Sequence, residues 1–375
     1  MHFETFDMNK CVIASDSFKE ALSSREVADL FEIEFKKIYP KVKLEKVVLA
    51  DGGENTLEVF SNHFPYGQYH HLEVTGPNFK KIKAKYFTYD DIAVIESAEA
   101  CGLALAKEKN PLKTTTYGVG ELIKDAYLKG YRKFYISLGG SSTNDGGCGL
   151  LSALGLKFFN KDNKKFIPTG GNLNDITNID DSDLMAKDAY FTILSDVTNA
   201  MFGPLGAAYI FAKQKGASED DIELLDQNLR YLNNLFIRFT GHDVSNISGS
   251  GAAGATSSGM LSFLNAKIVS GIETILDLID FDNIIIDADY VFTGEGRLDN
   301  QSFNGKLISG VLKRTSKQNI KIICICGRND LENIPNNAFY KIYETSNRYE
   351  NIFSIKKHAD KDYLKTVRKV LNELK

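Results

Sequence analysis

The chain has 375 residues, 43% of them hydrophobic, with 45 basic and 49 acidic side chains and a formal net charge of −4. This length predicts two α/β domains, because domains usually hold about 100 to 200 residues. The Lys and Arg residues form no dense run, which excludes a polyanion footprint and argues against a nucleic-acid partner.

A strand, loop and helix pattern recurs along the chain and predicts a mostly parallel sheet. Short runs of β-branched and apolar residues each end in an acid or in glycines. In open α/β sheets, ligands bind outside the carboxyl ends of the strands, so these acids are expected to converge on one site. The predicted strands are residues 11–15 before Asp16, 47–50 before Asp51, 135–138 before Gly139, 192–195 before Asp196 and 290–293 before Gly294.

Helix starts have their own signals. Ser23 with Glu26, and Ser218 with Asp221, each predict a capping box that opens a helix. A further helical region is predicted over residues 114–129.

The alternating pattern of residues 82–95, interrupted by two Asp residues, predicts an antiparallel hairpin and a domain boundary. The later return to a strand, a glycine loop and a helix predicts that the C-terminal part rejoins the N-terminal part. One domain is therefore expected to comprise residues 1–75 and 287–375. Residues 76–286 are expected to form an inserted α/β domain.

The five cysteines are odd in number and scattered, which fits neither a disulfide framework nor a zinc site. They are expected to be buried thiols in a reducing compartment.

The opening residues interrupt any apolar signal core, and no stretch approaches the roughly 20 apolar residues of a membrane span. The expected location is therefore the cytoplasm, with no membrane partner. The sequence has no H-E-x-x-H or G-x-S-x-G motif that would support a metallohydrolase or a serine hydrolase.

A glycine-rich segment, GGSSTNDGGCG, follows the third predicted strand at residues 139–149. Glycine backbone can turn its N–H groups toward a phosphate without interference from a Cβ atom. The part from 139 to 144, here called the glycine loop, is the predicted nucleotide-phosphate site, and Asp145 is a candidate ligand for a divalent cation. A tight connecting turn is the alternative. The loop residues concerned are Gly139, Gly140, Ser141, Ser142, Thr143 and Asn144.

Two familiar phosphate motifs are excluded. GSGAAG at residues 249–254 has the letters of a dinucleotide fingerprint, but the residues before it do not form a strand pattern. It predicts a small-residue helix entry, for close packing or for an anion. A Walker A loop is absent because Asn300 stands where its first glycine would be.

Charged residues of both signs lie in TGEGRLDNQ at residues 293–301. Glu295 and Asp299 suit a metal ion, and Arg297 suits an anionic substrate; a local ion pair is the alternative.

Phosphoryl transfer needs a loop that holds the phosphates, a metal ion, a cationic side chain and an oriented hydroxyl group, and the chain has candidates for each. The same inventory also suits a phosphatase or a ligand-binding regulatory domain.

Nine ordered blocks, covering most of the chain, resemble the bacterial glycerate kinase family. They are DSFKEALSS (16–24), ADGGEN (50–55), VIESAEACGLAL (94–105), TTTYGVGELI (114–123), LGGSSTNDGGCG (138–149), SDVTNAMFGPLGAA (195–208), QKGAS (214–218), SGSGAAGA (248–255) and TGEGRLDNQSFNGK (293–306). The sequence departs from the family pattern at Glu20, at residues 255–258 and after Gly327.

The resemblance implies ATP and Mg²⁺ as cofactors and D-glycerate as the substrate, commonly giving 2-phosphoglycerate. It also implies a flavodoxin-like domain and a second α/β domain, with the active site between them, in a monomer or homodimer. A kinase for a related hydroxy acid and a non-catalytic ligand-binding regulator are the alternatives. The expected catalytic residues are Asp196, Lys19 and Arg297, and the expected substrate-binding residues are Asp16, Ser17, Lys19, Asp51 and Arg297.

Overall fold

A computed structural model of the chain describes residues 8–18, 21–50, 52–303, 306–331, 338–345 and 352–375. Lys19, Glu20 and Asp51 lie outside these residues. The strands are β1 (Lys10–Ser15), β2 (Lys43–Val48), β3 (Gln68–Thr75), β4 (Lys81–Tyr89), β5 (Ile92–Glu96), β6 (Lys133–Ser137), β7 (Lys157–Phe159), β8 (Lys165–Phe166), β9 (Asn178–Asp180), β10 (Tyr190–Leu194), β11 (Lys267–Val269), β12 (Tyr290–Thr293), β13 (Arg297–Leu298), β14 (Lys321–Cys326), β15 (Arg328–Asn329) and β16 (Lys341–Glu344). The helices are α1 (Ser24–Ile38), α2 (Thr56–His63), α3 (Ala98–Cys101), α4 (Tyr117–Leu128), α5 (Cys148–Ala153), α6 (Ala207–Phe211), α7 (Glu219–Thr240), α8 (Ala252–Phe263), α9 (Gly271–Leu278), α10 (Phe281–Ile284), α11 (Leu307–Ser316) and α12 (Ile352–Asn372).

The chain divides into two compact units. The first comprises Met1–Asp51 and Ile272–Lys375, and the second comprises Gly52–Gly271. The boundaries thus differ from those predicted at 75/76 and 286/287. The segment before residue 76 belongs to the second unit because β3 pairs along its whole length with β4. The segment after residue 271 belongs to the first unit, where Arg314 of α11 binds Glu273 of α9.

The first unit is built on a five-stranded sheet in which every neighbouring pair is parallel, in the order β2-β1-β12-β14-β16. Numbered within the unit, this order is 2-1-3-4-5, the flavodoxin-like arrangement. Helices α1 and α12 contribute to a core with the sheet, in which Phe31, Phe292 and Tyr363 are almost fully buried. The order reverses between β1 and β12, so the carboxyl ends of these two strands form the switch point where such sheets bind ligands.

The second unit contains a six-stranded mixed sheet in the order β11-β10-β6-β5-β4-β3. The first four strands are parallel, while β4 pairs antiparallel with both β5 and β3. The predicted hairpin is therefore confirmed as β4 and β5. Helices α4, α5, α7 and α8 supply many of the buried side chains of this core.

Several local predictions are confirmed. The strand predicted at residues 290–293 coincides with β12, and the other four predicted strands overlap β1, β2, β6 and β10. Both capping boxes form: the hydroxyl of Ser23 accepts from the N–H of Glu26, and Ser218 does the same with Asp221. Such caps typically stabilise a helix by about 0.5–2 kcal/mol.

The five cysteines are free and buried, as predicted from their spacing. Among the described residues, no helix combines the length and apolar character needed to cross a membrane.

Candidate active site

The predicted site residues fall into two groups, one at the carboxyl edge of each sheet. Asp16, Ser17, Glu295, Arg297 and Asp299 belong to the first unit. The glycine loop, Asp145 and Asp196 belong to the second unit.

In the first unit, the loop after β1 lies against the loop after β12. The backbone N–H of Asp16 donates to the carbonyl of Gly294 at 2.9 Å, and the hydroxyl of Ser15 donates to the same carbonyl at 3.0 Å. The Asp16 carboxylate accepts from the N–H of Ser17 at 2.6 Å. The structure thus confirms that the first predicted strand and the one at 290–293 are neighbours, which brings Asp16 and Ser17 to the loop that contains Glu295.

Arg297 has an acidic partner that sequence reasoning missed. Its Nε atom lies 2.7 Å from Oδ2 of Asp330 and 3.8 Å from Oδ2 of Asp299. The other carboxylate oxygen of Asp330 pairs with Arg328. The side chain of Arg297 remains 67% exposed, so these contacts leave it accessible to an anion from solvent. Asp330 follows β14 after a glycine, which is the same signal that marked the other strand ends.

The two acids predicted to bind metal in this unit have different surroundings. The Asp299 carboxylate accepts from the N–H of Gln301 at 2.9 Å, which caps the short 3-10 helix at Asn300–Phe303. The backbone carbonyl of Glu295 accepts from Gly327. Across the described part of the chain, no three His, Cys, Asp or Glu side chains form a group suited to a metal ion. Mg²⁺ in phosphoryl-transfer sites usually keeps several waters and binds one or two carboxylates together with substrate phosphates.

In the second unit, the glycine loop follows β6 and packs against Gly53 and Glu54. A Cβ atom on Gly139 would lie 2.5 Å from the Cα of Gly53. Gly140 has φ +72°, and a Cβ there would lie 2.4 Å from Oε1 of Glu54. Glycine is required at both positions, because a side chain would collide with the turn and the second conformation is left-handed. Gly140 is the exposed residue of the loop.

Ser141, Ser142, Thr143 and Asn144 are buried, whereas Gly139 is half-buried. The hydroxyl of Ser142 donates to the carbonyl of Cys101 at 2.8 Å, so it is engaged within the protein. Asn144 has no exposed surface, and neither atom of its side-chain amide has a hydrogen-bond partner among the described residues. The hydroxyl of Thr143 also has no hydrogen-bond partner among the described residues. Buried polar atoms nearly always have partners, so these two loop side chains have unused hydrogen-bonding capacity.

Asp145, the predicted metal ligand, is hydrogen-bonded within the protein. Its carboxylate is fully buried and accepts from the N–H and hydroxyl of Thr116, both at 2.8 Å. It also accepts from the N–H groups of Gly147 and Gly149 at the start of α5. Four donors thus surround both oxygens, while burial raises the pKa of Asp145. Three of these hydrogen bonds end on Oδ2 and one on Oδ1, so the carboxylate fixes the turn after the glycine loop. Its assignment to a cation stays a prediction from the sequence.

A buried lysine from the QKGAS block also contacts the glycine loop. The Nζ atom of Lys215 donates to the carbonyl of Thr143 at 2.7 Å and to the hydroxyl of Ser141 at 3.2 Å. Lys215 is only 3% exposed. Sequence reasoning quoted this residue without giving it a role, since a lone lysine is usually a solvated surface charge.

The second glycine-rich segment packs against the glycine loop. A Cβ atom on Gly254 would lie 2.1 Å from the carbonyl oxygen of Thr143, and the carbonyl of Gly254 accepts from the N–H of Gly146 at 3.0 Å. Ala253, Gly254 and Ala255 are all left-handed, with φ between 53° and 66°. Of the two roles left open for this segment, close packing is the one that the structure displays.

Asp196, the predicted catalytic acid, lies directly after Ser195 at the end of β10. Its Oδ1 atom accepts from the hydroxyl of Ser270 at 2.7 Å and from the N–H of Gly271 at 3.0 Å. These bonds hold the turn that follows β11. The half-buried position is compatible with both a turn-forming role and a role toward substrate.

Glu96 is a second acid at a strand end that the sequence did not single out. One carboxylate oxygen accepts from the N–H of Asn55 and the other from that of Leu57, both at 3.0 Å. Glu96 therefore caps the first turn of α2. Because the carboxylate is almost fully buried, its pKa is raised to about 7.

Comparison with known proteins gives one family. The model of the glycerate kinase family matches residues 11–375. A glycerate kinase from Bacillus cereus and a glycerate 2-kinase from Escherichia coli K12 are each 40% identical over 324 residues, which is 85% of this chain and 85% of each of those proteins. A crystal structure from Salmonella typhimurium LT2, assigned as glycerate kinase 2, matches with a TM-score of 0.82 at 35% identity and covers 98% of both chains. Because the family match runs from the first strand to the last helix, the chain belongs to the glycerate kinase family and is an enzyme.

Proposed function

We propose that this enzyme transfers the terminal phosphoryl group of ATP to D-glycerate and forms 2-phosphoglycerate. The observation that carries the proposal is the exposed, left-handed Gly140 in a glycine loop at the carboxyl end of β6, in a chain that belongs to this family. Backbone N–H groups in such a loop suit the phosphates of a nucleotide. We assign this loop to ATP.

The acceptor and the transferring group both carry negative charge, so the proposal assigns cations to them. Arg297 is proposed to bind the glycerate carboxylate or the transferring phosphoryl group, since its guanidinium is exposed at the flavodoxin-like switch point. Asp16 and Ser17 lie in the neighbouring loop and are proposed to bind the hydroxyl groups of glycerate. Lys19 and Asp51, which lie outside the described residues, stay predictions from the sequence.

The proton of the attacking hydroxyl needs an acceptor, and we assign this role to Asp196, which lies at a strand end and is half-buried. Glu295 and Asp299 are the proposed Mg²⁺ ligands. One or two carboxylates with substrate phosphates are a usual Mg²⁺ set, so two acids in one loop fit this ion. When bound, Mg²⁺ neutralises charge on the phosphates. That one active site draws on both units stays a prediction from the sequence.

The test is ADP release coupled to a spectroscopic readout, with D-glycerate compared against L-glycerate, lactate, tartronate and glycolate. We expect turnover with D-glycerate and loss of turnover in excess EDTA, restored by Mg²⁺. Phosphorus NMR of the product distinguishes the 2-phosphate from the 3-phosphate. ADP release with another hydroxy acid and none with D-glycerate would contradict the substrate assignment, and rapid release in EDTA would contradict the metal requirement.

A further inference from the structure

Lys215 is a buried ammonium group that contacts the glycine loop from within the protein. It ends the short 3-10 helix at Lys213–Lys215, and the left-handed Gly216 follows it. Its two hydrogen bonds reach the carbonyl of Thr143 and the hydroxyl of Ser141. The lysine thus joins the loop to a segment more than 70 residues later in the sequence.

Among the residues that the structure describes, no carboxylate pairs with the ammonium group of Lys215. In the described part of the chain, Lys215 has no carboxylate oxygen within 4.0 Å, whereas Lys213, two residues earlier, pairs with Glu219 at 2.9 Å on the surface. The titratable groups that act on Lys215 are Cys101 and Asp145. Burial raises the pKa of the Cys101 thiol to about 12, so it is neutral near pH 7.

Asp145 is the remaining negative group, and its oxygens already accept four hydrogen bonds from Thr116, Gly147 and Gly149. Burying a charge is costly unless a counter-charge compensates it, and lysine is almost never fully buried without one. An ammonium held in this way keeps a positive potential that solvent screens little, because the surroundings are of low dielectric. Asn144, with its unpartnered amide, lies in the same loop.

We propose that Lys215 is the positioning residue of the nucleotide site: it fixes the glycine loop through Ser141 and Thr143, and its charge is compensated by the phosphate groups of a nucleotide bound at that loop. The inference rests on the proposed function in assigning the loop to a nucleotide. Beyond that function, the buried ammonium group of Lys215 is proposed as a source of the loop's affinity for anions, whereas Lys213, two residues earlier, is an ordinary surface lysine. Lys215 acts indirectly, by holding the loop in place and by raising the electrostatic potential there.

The charge of Lys215 changes in an accessible pH range, which gives a readout that a merely structural residue would not produce. Burial lowers the pKa of Lys215 to about 8. The ammonium form therefore predominates at pH 7 and is the minor form at pH 9. If a bound phosphate favours the charged form, the Kd for ADP rises by about tenfold between these pH values. Cys101 does not titrate in this window.

The experiment measures ADP binding with Mg²⁺ by calorimetry at pH 7 and pH 9. The variants are Lys215→Met, which removes charge and hydrogen bonds, Lys215→Gln, which keeps donors without charge, and the matched surface control Lys213→Met. We expect both Lys215 variants to bind ADP at least about tenfold more weakly at pH 7, comparable to losing a charge-assisted hydrogen bond. Their Kd should hardly change with pH, while Lys213→Met should follow the wild type at both pH values.

Three results would overturn the inference: a wild-type Kd that is equal at the two pH values, a folded Lys215 variant with wild-type affinity, or a wild type that does not bind ADP. The wild-type pH dependence decides the matter even if a variant fails to fold. A wild type that binds ADP in this pH-dependent way but phosphorylates no hydroxy acid would contradict the proposed function and support the Lys215 inference.

Discussion

The Nε atom of Arg297 lies 2.7 Å from Oδ2 of Asp330, and this ion pair links β13 to the residue that follows β15. The two strands are parallel neighbours, with Arg297 opposite Arg328. Asp330 therefore pairs with one arginine through each carboxylate oxygen. The two arginines are 67% and 71% exposed, which makes them a matched pair for testing function.

Replacing Arg297 with Met should lower kcat/KM at least about 10²-fold, as expected for loss of one preorganised electrostatic group. Thermal stability should change little, because an exposed ion pair contributes only about 0–1 kcal/mol. Arg328→Met is the control, since it removes the other pair with Asp330 at similar exposure. Steady-state kinetics and melting temperature are measured on both. Equal losses of kcat/KM in the two variants would show that activity depends on the ion pairs with Asp330 and not on Arg297 itself.

Lys19→Met is expected to lower kcat/KM by at least about 10²-fold for the same reason. The prediction comes from the sequence, because Lys19 follows the first strand. The control is Lys36→Met, which removes an exposed lysine of α1 that pairs with Glu32. Wild-type turnover in the Lys19 variant would contradict the assignment of Lys19 to the active site.

Replacing Gly140 with Val should raise the KM for ATP or abolish activity. A Cβ atom there would lie 2.4 Å from Oε1 of Glu54, so the Glu54 side chain has to move, and the left-handed backbone is strained with any side chain. Gly130→Val is a control for the backbone effect alone, because Gly130 has φ +100° and a Cβ there would meet nothing within 4 Å. An unchanged KM for ATP in a folded Gly140 variant would contradict the assignment of the loop to nucleotide phosphates.

Glu96 should make stability depend on pH. Its folded pKa of about 7 lies above the ordinary value of 4.5, so between these pH values the folded state binds more protons than the unfolded state. Its contribution to stability is therefore fully present below about pH 4.5 and is lost as pH rises toward 7, by at most about 1.4 kcal/mol per pH unit. Urea unfolding at pH 5 and pH 7 should show a smaller difference between the two pH values in Glu96→Gln than in the wild type. Parallel pH profiles would show that Glu96 does not titrate in this range.

Arg314 should matter for stability and not for substrate binding. It is 7% exposed and binds Glu273, Asp277 and Asp282 within 2.8 Å. Arg314→Met leaves these acids without their common partner. We expect the free energy of unfolding to fall by roughly 2–3 kcal/mol, which is less than for fully buried acids. Lys313→Met, which removes an exposed partner of Glu273, should lower the free energy of unfolding by at most about 1 kcal/mol. Denaturant unfolding measures both, and a raised KM in Arg314→Met would contradict the purely structural role.

The sequence predicted those features that depend on local pattern. The capping boxes at Ser23 and Ser218 are set by residues three apart, and the strand at 290–293 is a short apolar run that glycine ends. Its pairing with the first strand was also predicted, because a second strand, glycine loop and helix late in the chain suggested a return to the first sheet.

The features that were missed depend on contacts between distant segments. Asp145 follows the loop glycines as a metal ligand might, but its carboxylate accepts hydrogen bonds from Thr116, 29 residues earlier. The role of Lys215 follows from hydrogen bonds that span 72 and 74 residues. The boundary near residue 75 was misplaced because the register of β3 with β4, and not the change in pattern, decides which unit contains β3.

The strand order of the first unit also constrains how the chain is made. β1 leaves the ribosome 275 residues before β12, its neighbour on one side. At roughly 5–20 residues per second, that edge of β1 has no partner for about 15–55 s, while the whole second unit emerges. An unpaired strand edge is a template for aggregation, so the nascent N-terminal strands are the part of this chain that a chaperone has most reason to shield.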